Sequence, residues 1–231
     1  IRQVVPFAFL LRYGSCGFMI PDVKICGLAR PRDVEKAIEL GASFLGFIVE
    51  AKSARELTVL EASALAAPAK TIIPRVAVTV NASDDLLDRI MTDMDPDYIQ
   101  CHGDETVDRV ADIAQRFSVK IIKAIPVSIP ADMMAAEHYA GVADFILYDS
   151  KPPKGEMARG GHGLAFDWTV LTQAPLPKIW ALAGGLTPDN VAAAIRLTNA
   201  PIVDVSSGVE TSAGLKDTSK IQAFMKAVRG I

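Results

Sequence analysis

"DVKICGLARPRDVEKAIELGASFLGFIV", residues 22–49, holds one turn of the pattern that decides the fold. "VKIC" is an apolar, strand-like run. Gly27 follows, then the amphipathic helical stretch "PRDVEKAIELGA", then a second strand, "SFLGFIV". Strands of near-continuous Val, Ile and Leu, each followed by an amphipathic helix, specify a parallel sheet covered by helices.

The pattern repeats to the C-terminus. "TVLEASALAAPA" leads to "IIPRVAVTV", "SDDLLDRIMTDM" to "DYIQC", "ETVDRVADIAQRF" to "VKIIKAI", and "PADMMAAEHYAG" to "ADFILY". The last units run from "FDWTVLTQ" to "KIWALAG" and from "TPDNVAAAIRLTN" to "PIVDVSSG", ending with "KDTSKIQAFMKAVRG". Eight such units most simply close into a single (β/α)8 TIM barrel. An open doubly wound sheet more often shows GxGxxG after its first strand; here that position reads "CGLARP". No linker or low-complexity stretch divides residues 22–231, which read as one catalytic barrel domain. Residues 1–21 read as an N-terminal extension, non-native or mis-started, with a targeting segment as the alternative. The apolar run at 4–11 is too short to span a bilayer and is broken by Pro6.

Half of the 231 residues are hydrophobic (50%), ample for one sizeable core. Formal net charge is −3, without a basic stripe or aromatic–basic interleaving, so neither nucleic acid nor a membrane is an expected partner. Cys16, Cys26 and Cys101 form no CxxC and leave an odd count. That favours a reducing compartment, hence the cytoplasm, over a disulfide framework.

A barrel places its chemistry at the C-terminal strand ends and the loops that follow. Cys26 ends strand 1, Arg55 follows strand 2, Asn81 ends strand 3 and His102 follows strand 4. Asp149 ends strand 6, "LAGGL" strand 7 and "DVSSGVE" strand 8. Gly184 and Gly185 lack Cβ atoms and let an anion approach backbone N–H groups. Ser207 and Gly208 add donors at the mouth of a short helix. Loops after strands 7 and 8 are the frequent phosphate site of barrels, so a phosphorylated small molecule is the expected ligand; turns alone are the competing reading.

From these stretches the chain resembles the phosphoribosylanthranilate isomerases of tryptophan biosynthesis. The matching segments are "VKICGL", "GASFLGFIVEAKSAREL", "QCHGDE", "KAI", "LYDS", "GGHGLAFDW", "LAGGLTPDNV" and "DVSSGVETSAGLKDTSKI", in order from about Asp22 onward. The resemblance implies an Amadori rearrangement without a cofactor, on a barrel that is a monomer or homodimer. It also implies Cys26 as general base and Asp149 as general acid, with Arg55 on the anthranilate carboxylate and His102 lining the pocket. The residues allow these roles. A thiol is a base only as thiolate, from a reference pKa of ~8.5, and Lys24 shares its strand face. An aspartate is an acid near neutrality only if its pKa rises well above ~3.9. Read without the resemblance, Cys26 is a core thiol, Asp149 a helix cap and Arg55 a solvated charge. Asp204 is expected to hold a sugar hydroxyl or a buried water.

The chain departs from the family pattern at three places. Ala54 stands for the proline of "KSPR", Glu50 for an apolar residue, and His162 for Thr or Asn in "GGHG". The first two put substrate affinity in doubt more than the reaction; His162 is expected to be a solvent-exposed loop residue, with a phosphate contact as the alternative. A metal site is not expected: Cys101 and His102 are adjacent and point apart, which leaves Cys101 to the core. His138 sits in a helical segment. Two other readings compete. One is another phosphate-binding barrel of tryptophan or histidine biosynthesis, suggested by Lys123 but lacking a Glu at the end of strand 4. The other is a non-catalytic, degenerate barrel.

Overall fold

The computed structural model describes residues 20–151 and 167–231. Eight parallel strands form the barrel: β1 (Asp22–Ile25), β2 (Phe44–Val49), β3 (Arg75–Thr79), β4 (Tyr98–Cys101), β5 (Lys120–Val127), β6 (Phe145–Ser150), β7 (Trp180–Leu182) and β8 (Ile202–Val205). Each pairs with its neighbour in chain order. β1 closes the ring, with Lys24 opposite Phe44 on β2 and opposite Asp204 on β8. The α-helices are α1 (Pro31–Glu39), α2 (Val59–Ala66), α3 (Asp84–Arg89), α4 (Val107–Phe117), α5 (Val191–Thr198) and α6 (Thr218–Arg229). The starts of several are legible in the chain. Thr58 and Glu61 form a reciprocal capping box for α2, and Ser83, Thr106 and Asp217 cap α3, α4 and α6.

Strand alternation divides the core into two layers. Inward-facing Phe44, Val76, Val78, Tyr98, Ile122, Ala124, Phe145, Leu147, Ala181, Ala183 and Ile202 fill the lumen together with Cys26. Phe44, Tyr98 and Phe145 meet edge-on or tilted, with ring centroids 5.7–6.0 Å apart. The alternate residues, among them Ile25, Leu45, Ala77, Ile99, Cys101, Ile121 and Val203, pack outward against the helices. Cys101 thus lies in the outer layer, as its parity predicts. Burial, reinforced by Glu105, pushes its thiol up to about 12.

Two expected helices take another form. Residues Pro130–Tyr139 after β5 form a 3-10 helix. Met133 and Ala136 are buried, and Pro130 and Tyr139 half-buried. That spacing of three fits 3.0 residues per turn, where an α-helix would rotate the set away from the sheet. After β6, Trp168–Thr172 is also 3-10. His162, with the rest of 152–166, lies outside the described residues. No helix among the described residues is long and apolar enough to cross a membrane.

Candidate active site

One pocket opens at the C-terminal ends of the strands. Its lining includes Cys26, Arg55, Gln100, His102, Asp149, Ser150, Gly184, Gly185, Asp204, Ser206 and Ser207. The parity of each strand explains the convergence. Cys26 continues the inward face of Lys24, Asp149 that of Phe145 and Leu147, and Asp204 that of Ile202.

Cys26 sits in a charged cluster at the β1 seam. Lys24 Nζ donates to Asp204 Oδ1 at 3.0 Å, with both groups buried. Gly46 on β2 makes room for them: a Cβ there would lie 3.0 Å from Cys26 Sγ and 3.1 Å from Lys24 Nζ. Burial is the largest influence on the Cys26 thiol and pushes it up. Lys24 pulls it down, Asp204 pushes it up again, and Lys216 adds a weaker downward pull. The net direction is upward: Lys24, on the same strand face, favours the thiolate and offsets desolvation without overcoming it. Lys24 is lowered by burial, but Asp204 and Cys26 outweigh this and it keeps its proton. Burial raises Asp204 despite Lys24. Asp204, expected to wait for a hydroxyl or water, already has an ionic partner.

Across the lumen, Gln100, His102 and Asp149 form a chain. Gln100 Nε2 lies 2.8 Å from His102 Nδ1, and His102 Nε2 lies 3.3 Å from Asp149 Oδ2. The Gln100 amide can donate to Nδ1, an arrangement in which Nε2 carries its hydrogen toward the carboxylate. Asp149 Oδ1 accepts from the backbone N–H of Ser150 at 2.8 Å. Gln100 Oε1 is buried without a hydrogen-bond partner among the described residues. Its place in the pocket wall suits it to receive a donor from a ligand. Sequence reasoning overlooked Gln100, although its parity with Tyr98 puts it in the lumen.

Arg55 reaches the pocket wall, but not as a free fork. Its Nε and Nη2 donate to Glu210 Oε1 and Oε2, both at 2.7 Å. Glu50, expected to bring negative charge near the substrate, instead turns away. It takes a left-handed conformation (φ 43) and forms a bidentate pair with Arg89 at 2.8–2.9 Å.

The loops after β7 and β8 meet the pocket through Gly184, Gly185, Leu186, Ser206 and Ser207. Gly184 (φ 83) must lack a side chain, since a Cβ would come within 2.6 Å of Ser150 N. Asn190 braces this loop, donating to Gly185 O at 2.9 Å and accepting from Thr187 N at 2.7 Å. Gly208 is not among the lining residues. A Cβ on it would fall 1.8 Å from Leu186 O, so its bareness seats the loop after β8 on the loop after β7. Asn81 ties its loop to that of β4, accepting from Asp104 N at 2.8 Å. Lys123 points outward from β5 into an ion pair with Glu105 at 2.9 Å, away from the lumen where the competing barrel chemistry would need it. No group of His, Cys, Asp and Glu among the described residues is arranged to hold a metal ion.

The family model for N-(5'-phosphoribosyl)anthranilate (PRA) isomerase matches residues 23–227. The N-(5'-phosphoribosyl)anthranilate isomerase of Paracoccus denitrificans (strain Pd 1222) is 45% identical over 207 residues, covering 90% of this chain and 96% of the relative. The phosphoribosyl anthranilate isomerase structure from Thermotoga maritima superposes with a TM-score of 0.81 at 33% identity, covering 91% of this chain and all (100%) of that one. A phosphoribosyl anthranilate isomerase structure in complex with reduced 1-(o-carboxyphenylamino)-1-deoxyribulose 5-phosphate superposes at 0.77, with 31% identity over 91% of this chain and 100% of that one. The eight-stranded barrel and the matched residues agree: the chain belongs to the N-(5'-phosphoribosyl)anthranilate isomerase family.

Proposed function

We propose that this chain is the isomerase of L-tryptophan biosynthesis that converts N-(5-phosphoribosyl)anthranilate to 1-(2-carboxyphenylamino)-1-deoxyribulose 5-phosphate. The observation that carries this reading is the convergence of a thiol and a carboxyl group, Cys26 and Asp149, on one pocket with the glycine and serine loops after β7 and β8.

The rearrangement needs an acid and a base. Asp149, as the acid, gives its proton to the furanose ring oxygen. The C1–O bond breaks and the nitrogen lone pair forms the C=N bond of a protonated Schiff base. Cys26, as thiolate, takes the proton from C2; the C–H electron pair becomes a C1=C2 bond and the iminium electrons return to nitrogen. The resulting enolamine passes its C2 hydroxyl proton to the Asp149 carboxylate and takes a proton at C1 from the Cys26 thiol, giving the ketone and restoring both groups. His102 Nε2 lies 3.3 Å from Asp149 Oδ2 and holds the carboxyl group in place. Backbone N–H groups of the Gly184–Gly185 and Ser206–Ser207 turns hold the phosphate, and Arg55 takes the ring carboxylate with its remaining N–H donors. No cofactor enters these steps. The enzyme works in the cytoplasm as a monomer or homodimer.

The test is direct. The protein is mixed with freshly prepared phosphoribosylanthranilate and the loss of anthranilate-type fluorescence is followed, with the ketose identified as product. Fluorescence loss no faster than in buffer, with a folded protein, overturns the proposal.

A further inference from the structure

The "GVETSAGLKD" stretch after β8 holds a cluster that the proton transfers do not use. Glu210 accepts from Arg55 Nε and Nη2 and from Lys216 Nζ, each at 2.7 Å. Lys216 Nζ also donates to Ser206 O at 3.0 Å and Ser206 Oγ at 3.2 Å. Arg55, Glu210 and Lys216 are all buried. Burial raises the Glu210 carboxyl, but Arg55 and Lys216 outweigh it and hold the group ionised. One carboxylate therefore joins Arg55 to Lys216, whose amine burial pushes down even with Glu210 beside it.

The stem of Arg55 has little freedom. A Cβ on Gly27 would lie 2.6 Å from Arg55 Cδ and 3.1 Å from Ser206 Oγ, and one on Gly214 would lie 2.7 Å from Ala54 O. Bare backbone thus packs on both sides of the side chain and its loop. Glu210 occupies the Nε/Nη2 edge of the guanidinium. The Nη1/Nη2 edge remains, and it matches a second planar carboxylate.

We propose that Glu210 is a positioning residue for substrate selectivity. It fixes Arg55 with that second edge toward the pocket and, through Lys216, fastens the same unit to the Ser206 turn. This selects ligands that carry a ring carboxylate. The proposal rests on Arg55 receiving that carboxylate.

The test compares two probes: reduced 1-(o-carboxyphenylamino)-1-deoxyribulose 5-phosphate, and the same compound without the ring carboxylate. Glu210→Gln keeps the shape and removes the charge. Its affinity for the carboxylate probe should fall about tenfold, with affinity for the other unchanged, and KM for phosphoribosylanthranilate should rise more than kcat falls. Glu210→Asp, which restores the charge, should recover part of the discrimination. Arg55→Ala separates the two readings. If it abolishes discrimination while Glu210→Gln retains it, only the present proposal fails. If Arg55→Ala leaves discrimination intact, the Arg55 reading fails and this one with it. Equal weakening of both probes in Glu210→Gln and Glu210→Asp assigns Glu210 to general packing and overturns its selective role.

Discussion

Lys24→Met removes the cation that partly offsets the burial of Cys26. The ideal Cβ position of Gly46 is 3.0 Å from Cys26 Sγ and 3.1 Å from Lys24 Nζ, which puts the two groups within about 6 Å. At an effective dielectric constant of about 20, that separation is worth about 3 kcal/mol in favour of the thiolate. Asp204 reduces the effect. Burial already raises its carboxyl, and loss of Lys24 pushes it up further, which weakens its repulsion of the thiolate. The thiol is therefore pushed further up in the variant, and activity near neutral pH should fall ~10–100-fold. The sign follows from the base role. Below the thiol's pKa the thiolate fraction is small and falls tenfold for each unit by which the pKa rises. Well above both pKa values, wild type and variant hold the same thiolate. The variant-to-wild-type ratio of kcat/KM should therefore climb toward one as pH rises through the displaced limb. The assay is kcat/KM against pH, with alkylation rates of the Cys26 thiol as an independent titration. A loss that is constant across pH, with an unmoved alkylation profile, refutes the electrostatic argument and leaves Lys24 a purely structural ion pair.

Four further outcomes are expected. Asp149→Asn should lower kcat by ~10²–10⁴ with little change in the Kd of the reduced product analogue; a wild-type rate would move the acid to another group, with His102 next. Alkylation of the native protein should label Cys26 and leave Cys101 untouched, because burial holds the Cys101 thiol at about 12; peptide mass spectrometry reads the difference, and equal labelling would contradict the two-layer placement. Gly208→Ala should cost on the order of 1–3 kcal/mol of stability or more, read as a lower denaturant midpoint, since its Cβ would fall 1.8 Å from Leu186 O. Ser207→Ala should spare stability and weaken phosphorylated ligands; an unchanged midpoint in the glycine variant would count against loop seating.

Much of the barrel was legible because strand parity and helix amphipathicity are local properties. The run of "VKIC" and "ADFILY" is enough to place Cys26 and Asp149 at strand ends, and their parity puts both in the lumen. The partners of those residues were less accessible. Lys24 meets Asp204 across 180 positions, and Arg55 meets Glu210 across 155. Both contacts depend on the register with which the sheet closes, which no local pattern encodes. Gly46 looks like an ordinary interruption of a strand until closure brings Cys26 and Lys24 against it. The 130–139 segment misled for a different reason. Its apolar spacing of three is close enough to 3.6 to pass for an amphipathic α-helix over ten residues.

The central claim is that Cys26 acts as a base rather than as one more small hydrophobe of the lumen. Cys26→Ser tests it most directly, because it keeps the shape at a buried site while removing a thiolate that can form in water. Turnover of phosphoribosylanthranilate by this variant, measured beside wild type by fluorescence loss with circular dichroism as the check on folding, should fall ~10²–10⁴-fold. Turnover near the wild-type rate in a folded Cys26→Ser protein would contradict the account and return the cysteine to the core.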